Sequence, residues 1–198
     1  MIIIGDVHAK KEEYAKIIAD NPGENTFQVG DFGFQISHDW HLSTFDSSRH
    51  KVVFGNHDYY PYLDKPHSCG NFSYFPEYDL MTIRGAGTID GYRRVEGFDW
   101  FPEEEEMSYG QWYDCIDMIN DKKPKIIISH DCPMSIAQTL FGFPNEGSYK
   151  SPTRNGLQAC WDNHKPEMWF FGHHHESKDV VILGTRFICL NELEIFKI

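Results

Sequence analysis

Five short apolar runs in this chain each stop at residues able to bind a metal ion, and this pattern constrains the fold more than any other feature. Residues 1–5 lead to Asp6 and His8, 26–29 to Gly30-Asp31, and 51–54 to Gly55-Asn56-His57-Asp58. Residues 125–129 lead to His130, and 167–171 to Gly172-His173-His174-His175. Apolar runs of this length, bounded by turn residues, read as buried strands. In open α/β sheets, ligands bind at the carboxyl ends of strands. Five such ends therefore point to one convergent site.

Helical spacing fills the gaps between the runs. Residues 10–20 carry Tyr14, Ile17 and Ile18 on one side and stop at Asn21-Pro22-Gly23. Ser108 and Gln111 form a capping-box pattern before a helix that aligns Trp112, Cys115, Ile116 and Ile119. Leu157, Cys160, Trp161 and His164 suggest another helix. Residues 81–84 read as a further strand, and 180–183 with 186–190 as a closing hairpin around Gly184-Thr185. The acidic run 103–106 reads as a solvated loop or helix start. Strands alternating with helices predict an α/β fold with a largely parallel sheet.

Composition narrows the partners. The 198 residues contain 40% hydrophobic and 15% aromatic side chains, which excludes intrinsic disorder and predicts one domain over 1–198. With 18 Lys+Arg against 30 Asp+Glu the net charge is −12, so nonspecific nucleic-acid binding is disfavoured. Cys69, Cys115, Cys132, Cys160 and Cys189 are odd in number, with no Cys-x-x-Cys pair, and read as free thiols in a reducing compartment. The first residues lack the pattern of a secretory signal, and no apolar run is long enough to span a membrane. The expectation is a soluble, cytoplasmic protein with no membrane partner.

The donors define the chemistry. Asp6 and Asp31 offer carboxylate oxygen, Asn56 offers amide oxygen, and His8, His130, His173 and His175 offer imidazole nitrogen. These exceed the needs of one ion that must also leave room for substrate, and two ions sharing a carboxylate fit better. A mixed nitrogen and oxygen set without thiolate suits Mn, Fe, Zn or Co more than Mg or Ca.

In order and content these blocks resemble the signature blocks of the calcineurin-like metallophosphoesterases, over residues 5–175. The segments Ser129-His130-Asp131-Cys132-Pro133, and Ile89-Asp90 with Arg94, Gly97, Trp100 and Pro102-Glu103-Glu104, are similar to a subgroup of small members from bacteria and their phages. The resemblance implies a sandwich of two mixed β-sheets flanked by helices. It implies two divalent ions, Mn²⁺ first among them with Fe, Zn, Co or Ni as alternatives. Asp6, His8, Asp31 and His175 would hold the first ion. Asp31, Asn56, His130 and His173 would hold the second, with Asp31 as the bridge. His57 would face the substrate as the catalytic acid, with Asp58 orienting it. His174, between two ligands in an extended segment, would point the other way.

Such a pair of ions can clamp phosphoryl oxygens and yield a bridging hydroxide at neutral pH. Two ions bring +4 against −2 from the two aspartates, so an acidic chain can still attract a phosphate ester. Arg94 and Arg154 are candidate phosphate contacts, each set against a surface ion pair. Tyr59, Tyr60, Tyr62 and Phe34 form a candidate aromatic rim for a base or aryl group, set against a core role. His38, His41, His50, His67 and His164 lie outside the motifs and read as surface or satisfied-core residues, and Trp112, Trp161 and Trp169 as core.

One departure separates this chain from the protein Ser/Thr phosphatases of the superfamily, which carry an arginine soon after the second aspartate block and another after the Asn-His block. Here Gly30-Asp31-Phe32-Gly33-Phe34 and Asp58-Tyr59-Tyr60 stand instead. The net charge and the lack of room for a capping segment also argue against a DNA-repair nuclease. The expected function is hydrolysis of a small or nucleotide-type phosphodiester. A phosphomonoesterase and a non-catalytic scaffold on the same fold are the alternatives.

Overall fold

A computed structural model describes residues 1–143 and 151–198. Strands β1 (Ile2–Ile4), β2 (Thr26–Gln28) and β3 (His50–Val52) run parallel, and β10 (Ile195–Lys197) joins β1 antiparallel. The order of this four-stranded sheet is β10-β1-β2-β3. The second sheet contains β4 (Phe72–Phe75), β5 (Leu80–Ile83), β6 (Ile126–Ser129), β7 (Met168–Phe171), β8 (Lys178–Ile182) and β9 (Thr185–Cys189), in the order β4-β5-β6-β7-β9-β8. Its central β5, β6, β7 and β9 are parallel, and the edge strands β4 and β8 are antiparallel. The helices are α1 (Lys11–Asp20), α2 (Gln35–Thr44), α3 (Tyr109–Lys122), α4 (Met134–Phe141) and α5 (Pro152–Asn163).

Period-two alternation along the strands divides the core into three layers. Ile3, Phe27, Leu80, Ile126, Ile128, Phe170 and Ile188 fill the space between the sheets. Their neighbours Ile2, Ile4 and Val52 face outward against Tyr14 of α1. On the far side Met81, Ile83, Ile127, Trp169, Phe171 and Phe187 meet α3, α4 and α5 through Cys115, Ile119, Ile136, Leu157 and Trp161. Both sheets are thus covered on both faces, which is why inner strands such as β1 and β7 are apolar at every position.

The capping box of α3 forms as the spacing predicts: Gln111 N–H donates to Ser108 Oγ, and Ser108 N–H donates to Gln111 Oε1. The closing hairpin also forms, with Leu183 and Gly184 as its two turn residues at φ 47° and 88° and Thr185 already paired with Ile182. Such left-handed pairs match the twist of the strands they join. Four elements lie beyond the sequence expectations: α2, α4 and the edge strands β4 and β10.

Only part of the acidic run is a solvated loop: Glu103 and Glu104 are exposed, but the next two acids are not. Glu105 is only 5% exposed, and its carboxylate accepts from both the backbone N–H and the hydroxyl of Thr88. Glu106 accepts from Ser151 Oγ and from Thr153 N–H at the start of α5, where an acidic group complements the free helix donors. Arg84 bonds the Glu104 carbonyl, and Tyr60 donates to the Glu105 carbonyl at 3.2 Å. Buried partners, invisible in a run of like charges, decide the position of this segment.

A histidine cluster sits beneath α2. His38, His41 and His67 are all fully buried. His38 bridges Asp58 (3.1 Å) and His67 (2.7 Å). His41 packs among Tyr14, Phe32 and Phe45 with neither ring nitrogen hydrogen-bonded among the described residues. Burial pushes His41 down to about 3 and His67 down to about 2. Below the ordinary value of about 6.5 an unfolded chain takes up protons that the folded chain refuses, so stability falls as pH drops through that window. His41→Phe removes two unpaired nitrogens and one refused proton. Between pH 7 and pH 5 it is expected to spare the protein about 2 kcal/mol of acid destabilisation, at roughly 1.4 kcal/mol per pH unit below 6.5. Urea midpoints of both proteins at the two pH values test this. An unchanged gap between them would show that His41 is not a refused proton site.

Candidate metal centre

The carboxyl ends of β1, β2 and β3 meet those of β6 and β7, and the predicted donors come together there. Asp6, His8, Asp31 and His175 each offer an atom within 4.8 Å of the others, and Asp31, His130 and His173 form a second such group. Asp31 belongs to both. His8 Nε2 lies 2.9 Å from His175 Nε2 and 3.8 Å from Asp31 Oδ2. His175 Nε2 lies 3.4 Å from Asp6 Oδ2, and His130 Nε2 lies 3.2 Å from Asp31 Oδ1.

The loops are tied to one another by backbone bonds. His8 N–H donates to the Asp31 carbonyl at 2.8 Å, and Gly172 N–H to the His130 carbonyl at 3.0 Å. His57 N–H donates to Asp31 Oδ1 (2.8 Å) and His173 N–H to Asp6 Oδ2 (3.0 Å), which aims both carboxylates. His8, Asp31, His173 and His175 all adopt left-handed backbone, at φ 45°, 57°, 66° and 51°. That conformation costs a non-glycine residue of order 1–3 kcal/mol and persists where surrounding structure demands it.

These residues fit a pair of cations. Asp6 Oδ1 and Asn56 Oδ1 are buried atoms with no hydrogen-bond partner among the described residues, an arrangement that is costly without a bound partner. Burial opposes charge on His130, yet Asp31 and Asp6 overcome it and raise its pKa to about 10. The carboxylates therefore create a field that draws positive charge into the site. His130 Nδ1 lies 3.1 Å from the Val29 carbonyl, which orients the ring so that Nε2 faces inward.

Close packing leaves no slack behind the donors. A Cβ on Gly172 would stand 2.0 Å from Asp6 Oδ1 and 2.7 Å from Val29 Cγ2. Gly172→Ala is expected to lower stability by about 1–3 kcal/mol, as overpacking does, and to weaken metal uptake by moving Asp6. Thermal melts with and without Mn²⁺ check this. A variant with the wild-type Mn²⁺-dependent shift would show that Asp6 had not moved.

A cavity of about 420 Å³ opens over the donors, lined among others by Asn56, His57, Arg94, Phe143, Arg154 and His174. The Arg94 guanidinium lies against both ring nitrogens of His57, 3.1 Å from Nδ1 and 2.5 Å from Nε2. Asp90 accepts from Arg94 Nε at 2.8 Å. Burial is the main cause holding the His57 pKa below its ordinary value, with Arg94 adding to it. Arg154 is buried and donates through Nε to Asp131 Oδ2 at 2.7 Å, so its ion pair is not a surface one.

Three expectations change. Asp58 accepts from the N–H groups of Asp31 (2.9 Å), Gly33 (3.0 Å) and Gly55 (2.7 Å), and meets His38. It clamps two metal-site loops and makes no bond to His57 among the described residues, because its oxygens are saturated by these donors. His174 does point away from the ligand positions, but through left-handed kinks at His173 and His175 rather than extended backbone. It stacks on Phe141 at 3.8 Å and meets Asp131 Oδ1 at 3.2 Å. Tyr60 is a core residue against Phe54 and Phe101, and Tyr59 and Tyr62 pack on each other, so only Phe34 approaches His57, at 6.3 Å. Asp131 had no role in the sequence reading. Its adjacency to His130, within the segment Ser129-His130-Asp131-Cys132-Pro133, was the available signal.

The sequence profile of the calcineurin-like phosphoesterases matches residues 1–177. The chain belongs to that family. Its fold resembles that of a candidate 5'-nucleotidase from Staphylococcus aureus solved with alpha-ketoglutarate, at 12% identity and a TM-score of 0.54. That match covers 98% of this chain and 49% of the other, so the chain spans about half the length of that structure. A phosphopantetheinyl hydrolase from Mycobacterium tuberculosis aligns over 96% of this chain and 89% of its own, at 15% identity and a TM-score of 0.46. No curated protein sequence matches this calcineurin-like chain. None of the described helices is long and apolar enough to cross a membrane.

Proposed function

We propose that the chain hydrolyses a small or nucleotide-type phosphodiester, with Asp6, His8, Asp31 and His175 holding one divalent ion and Asp31, Asn56, His130 and His173 the other. The observation that carries this reading is the pair of donor groups sharing Asp31 on the floor of a cavity with His57 in its wall. Bound there, Mn²⁺ or a similar ion would polarise the phosphoryl oxygens and supply a bridging hydroxide as nucleophile at neutral pH.

The chain's own residues do the remaining work. His57, half-buried beside Asp31 and Arg94, is placed to give a proton to the leaving alkoxide. Arg94 shares that corner and can donate to a phosphate oxygen. The charge balance supports a diester. Arg94 is paired with Asp90 and Arg154 with Asp131, so neither arginine brings a free positive charge. Such walls suit a singly charged phosphate better than the dianion of a monoester.

Purified protein loaded with Mn²⁺ is expected to hydrolyse bis-p-nitrophenyl phosphate faster than p-nitrophenyl phosphate, and to lose both activities in chelator. A faster monoester would reverse the preference. Protein shown to hold metal yet inactive on both substrates and on a nucleotide panel would favour the scaffold. The single domain over 1–198 belongs to this reading and is tested by one cooperative unfolding transition.

A further inference from the structure

Asn56 can ligate an ion only through Oδ1, because an amide NH₂ has no lone pair to give. The side chain is nearly symmetric in shape, so something must choose which end faces the site. Its Nδ2 donates to Thr88 Oγ1 at 3.2 Å. The Thr88 hydroxyl donates to Glu105 Oε2 at 2.8 Å, and Thr88 N–H donates to Glu105 Oε1 at 2.8 Å. The carboxylate accepts and cannot donate. Thr88 must therefore spend its hydroxyl proton on Glu105, which leaves its oxygen as an acceptor for Asn56. The direction of every bond in the chain follows from the charge at its far end. At its near end stands Asn56 Oδ1, buried and unpartnered among the described residues.

Glu105 is itself held from behind. Tyr60 donates to its carbonyl, Arg84 bonds the carbonyl of Glu104, and Gly85 comes so close that a Cβ there would stand 2.8 Å from the Glu105 carbonyl oxygen. Thr88 follows Gly85-Ala86-Gly87 at the carboxyl end of β5. A sixth strand end thus serves the site without supplying a donor to it.

We propose that Thr88 and Glu105 are positioning residues that fix the Asn56 amide with its oxygen toward the second ion. This rests on the reading of Asn56 as a ligand. Glu105→Gln is the sharpest test, because it keeps the shape and reverses the polarity. With Thr88 N–H still facing an oxygen, the new amide NH₂ would donate to Thr88 Oγ1. The hydroxyl proton would then turn to Asn56, which must offer Oδ1 to it and present NH₂ to the ion.

Calorimetric titration with Mn²⁺, checked by elemental analysis of bound metal, reads the effect directly. Glu105→Gln and Thr88→Val are each expected to bind the second ion about 10–100-fold more weakly, the range typical for removing a residue that orients a ligand. The first ion should bind as in the wild type, and Thr88→Ser, which keeps the hydroxyl, should restore the second. Wild-type affinity for both ions in both Glu105→Gln and Thr88→Val would overturn the inference. So would loss of both ions in Thr88→Val without rescue by Thr88→Ser, since that is collapse of the site rather than a turned amide. A wild-type chain that binds fewer than two Mn²⁺ would overturn the metal-pair reading itself.

Discussion

Asp31→Asn is expected to release both ions and abolish turnover, while the chain still folds. Asp31 is the residue common to both donor groups, and its two oxygens face different histidines, His130 from Oδ1 and His8 from Oδ2. An amide in its place offers one oxygen and no charge, so neither ion keeps its full set. The loss in turnover is expected to exceed the roughly 10²–10³ that one missing electrostatic group costs, because both ions leave together. The fold tolerates the change. Asparagine accepts the left-handed backbone that Asp31 occupies, and its amide oxygen can still receive His57 N–H. Asp6→Asn is the contrast, since Asp6 is a donor in the first group alone and its amide oxygen can still receive His173 N–H, so only the first ion should be released. Elemental analysis after dialysis separates the two variants. An Asp31→Asn protein that holds two ions would mean that Asp31 does not bridge.

What the sequence displayed and what it hid follow from where each element is buried. β1, β6 and β7 lie inside sheets covered on both faces, so their apolar runs are long and easily read. β4 and β10 are sheet edges; β4 is half-buried and β10 mostly exposed, and neither shows a clear run. α2 hides for a different reason. Its buried face is Ser37, His38 and His41, which no hydrophobic periodicity can register. α4 has only eight residues, too few for a convincing period. The donors were legible because each ends a strand. Glu105 was not, because four acids in a row look like a solvated surface until Thr88, Tyr60 and Arg84 are seen around them. The sequence likewise could not show that Asp58 serves the backbone of Asp31, Gly33 and Gly55 rather than the ring of His57. Those three residues converge only when two loops fold side by side.

His57→Ala is expected to lower kcat by about 10²–10⁴, the usual worth of a positioned general acid, with both ions retained. The bond from residue 57 to Asp31 is made by the backbone N–H and survives the substitution, so the shared carboxylate stays aimed. The ring itself meets Arg94 and stands in the cavity wall, not in either donor group. The size of the loss should depend on the leaving group. A p-nitrophenolate departs without needing a proton, whereas an alkoxide must receive one. The variant should therefore lose least on bis-p-nitrophenyl phosphate and most on an alkyl or nucleotide diester. That ordering separates proton donation from simple binding, which would weaken all substrates alike. An equal loss on every substrate would leave His57 as a phosphate contact, and loss of the ions would make it a ligand.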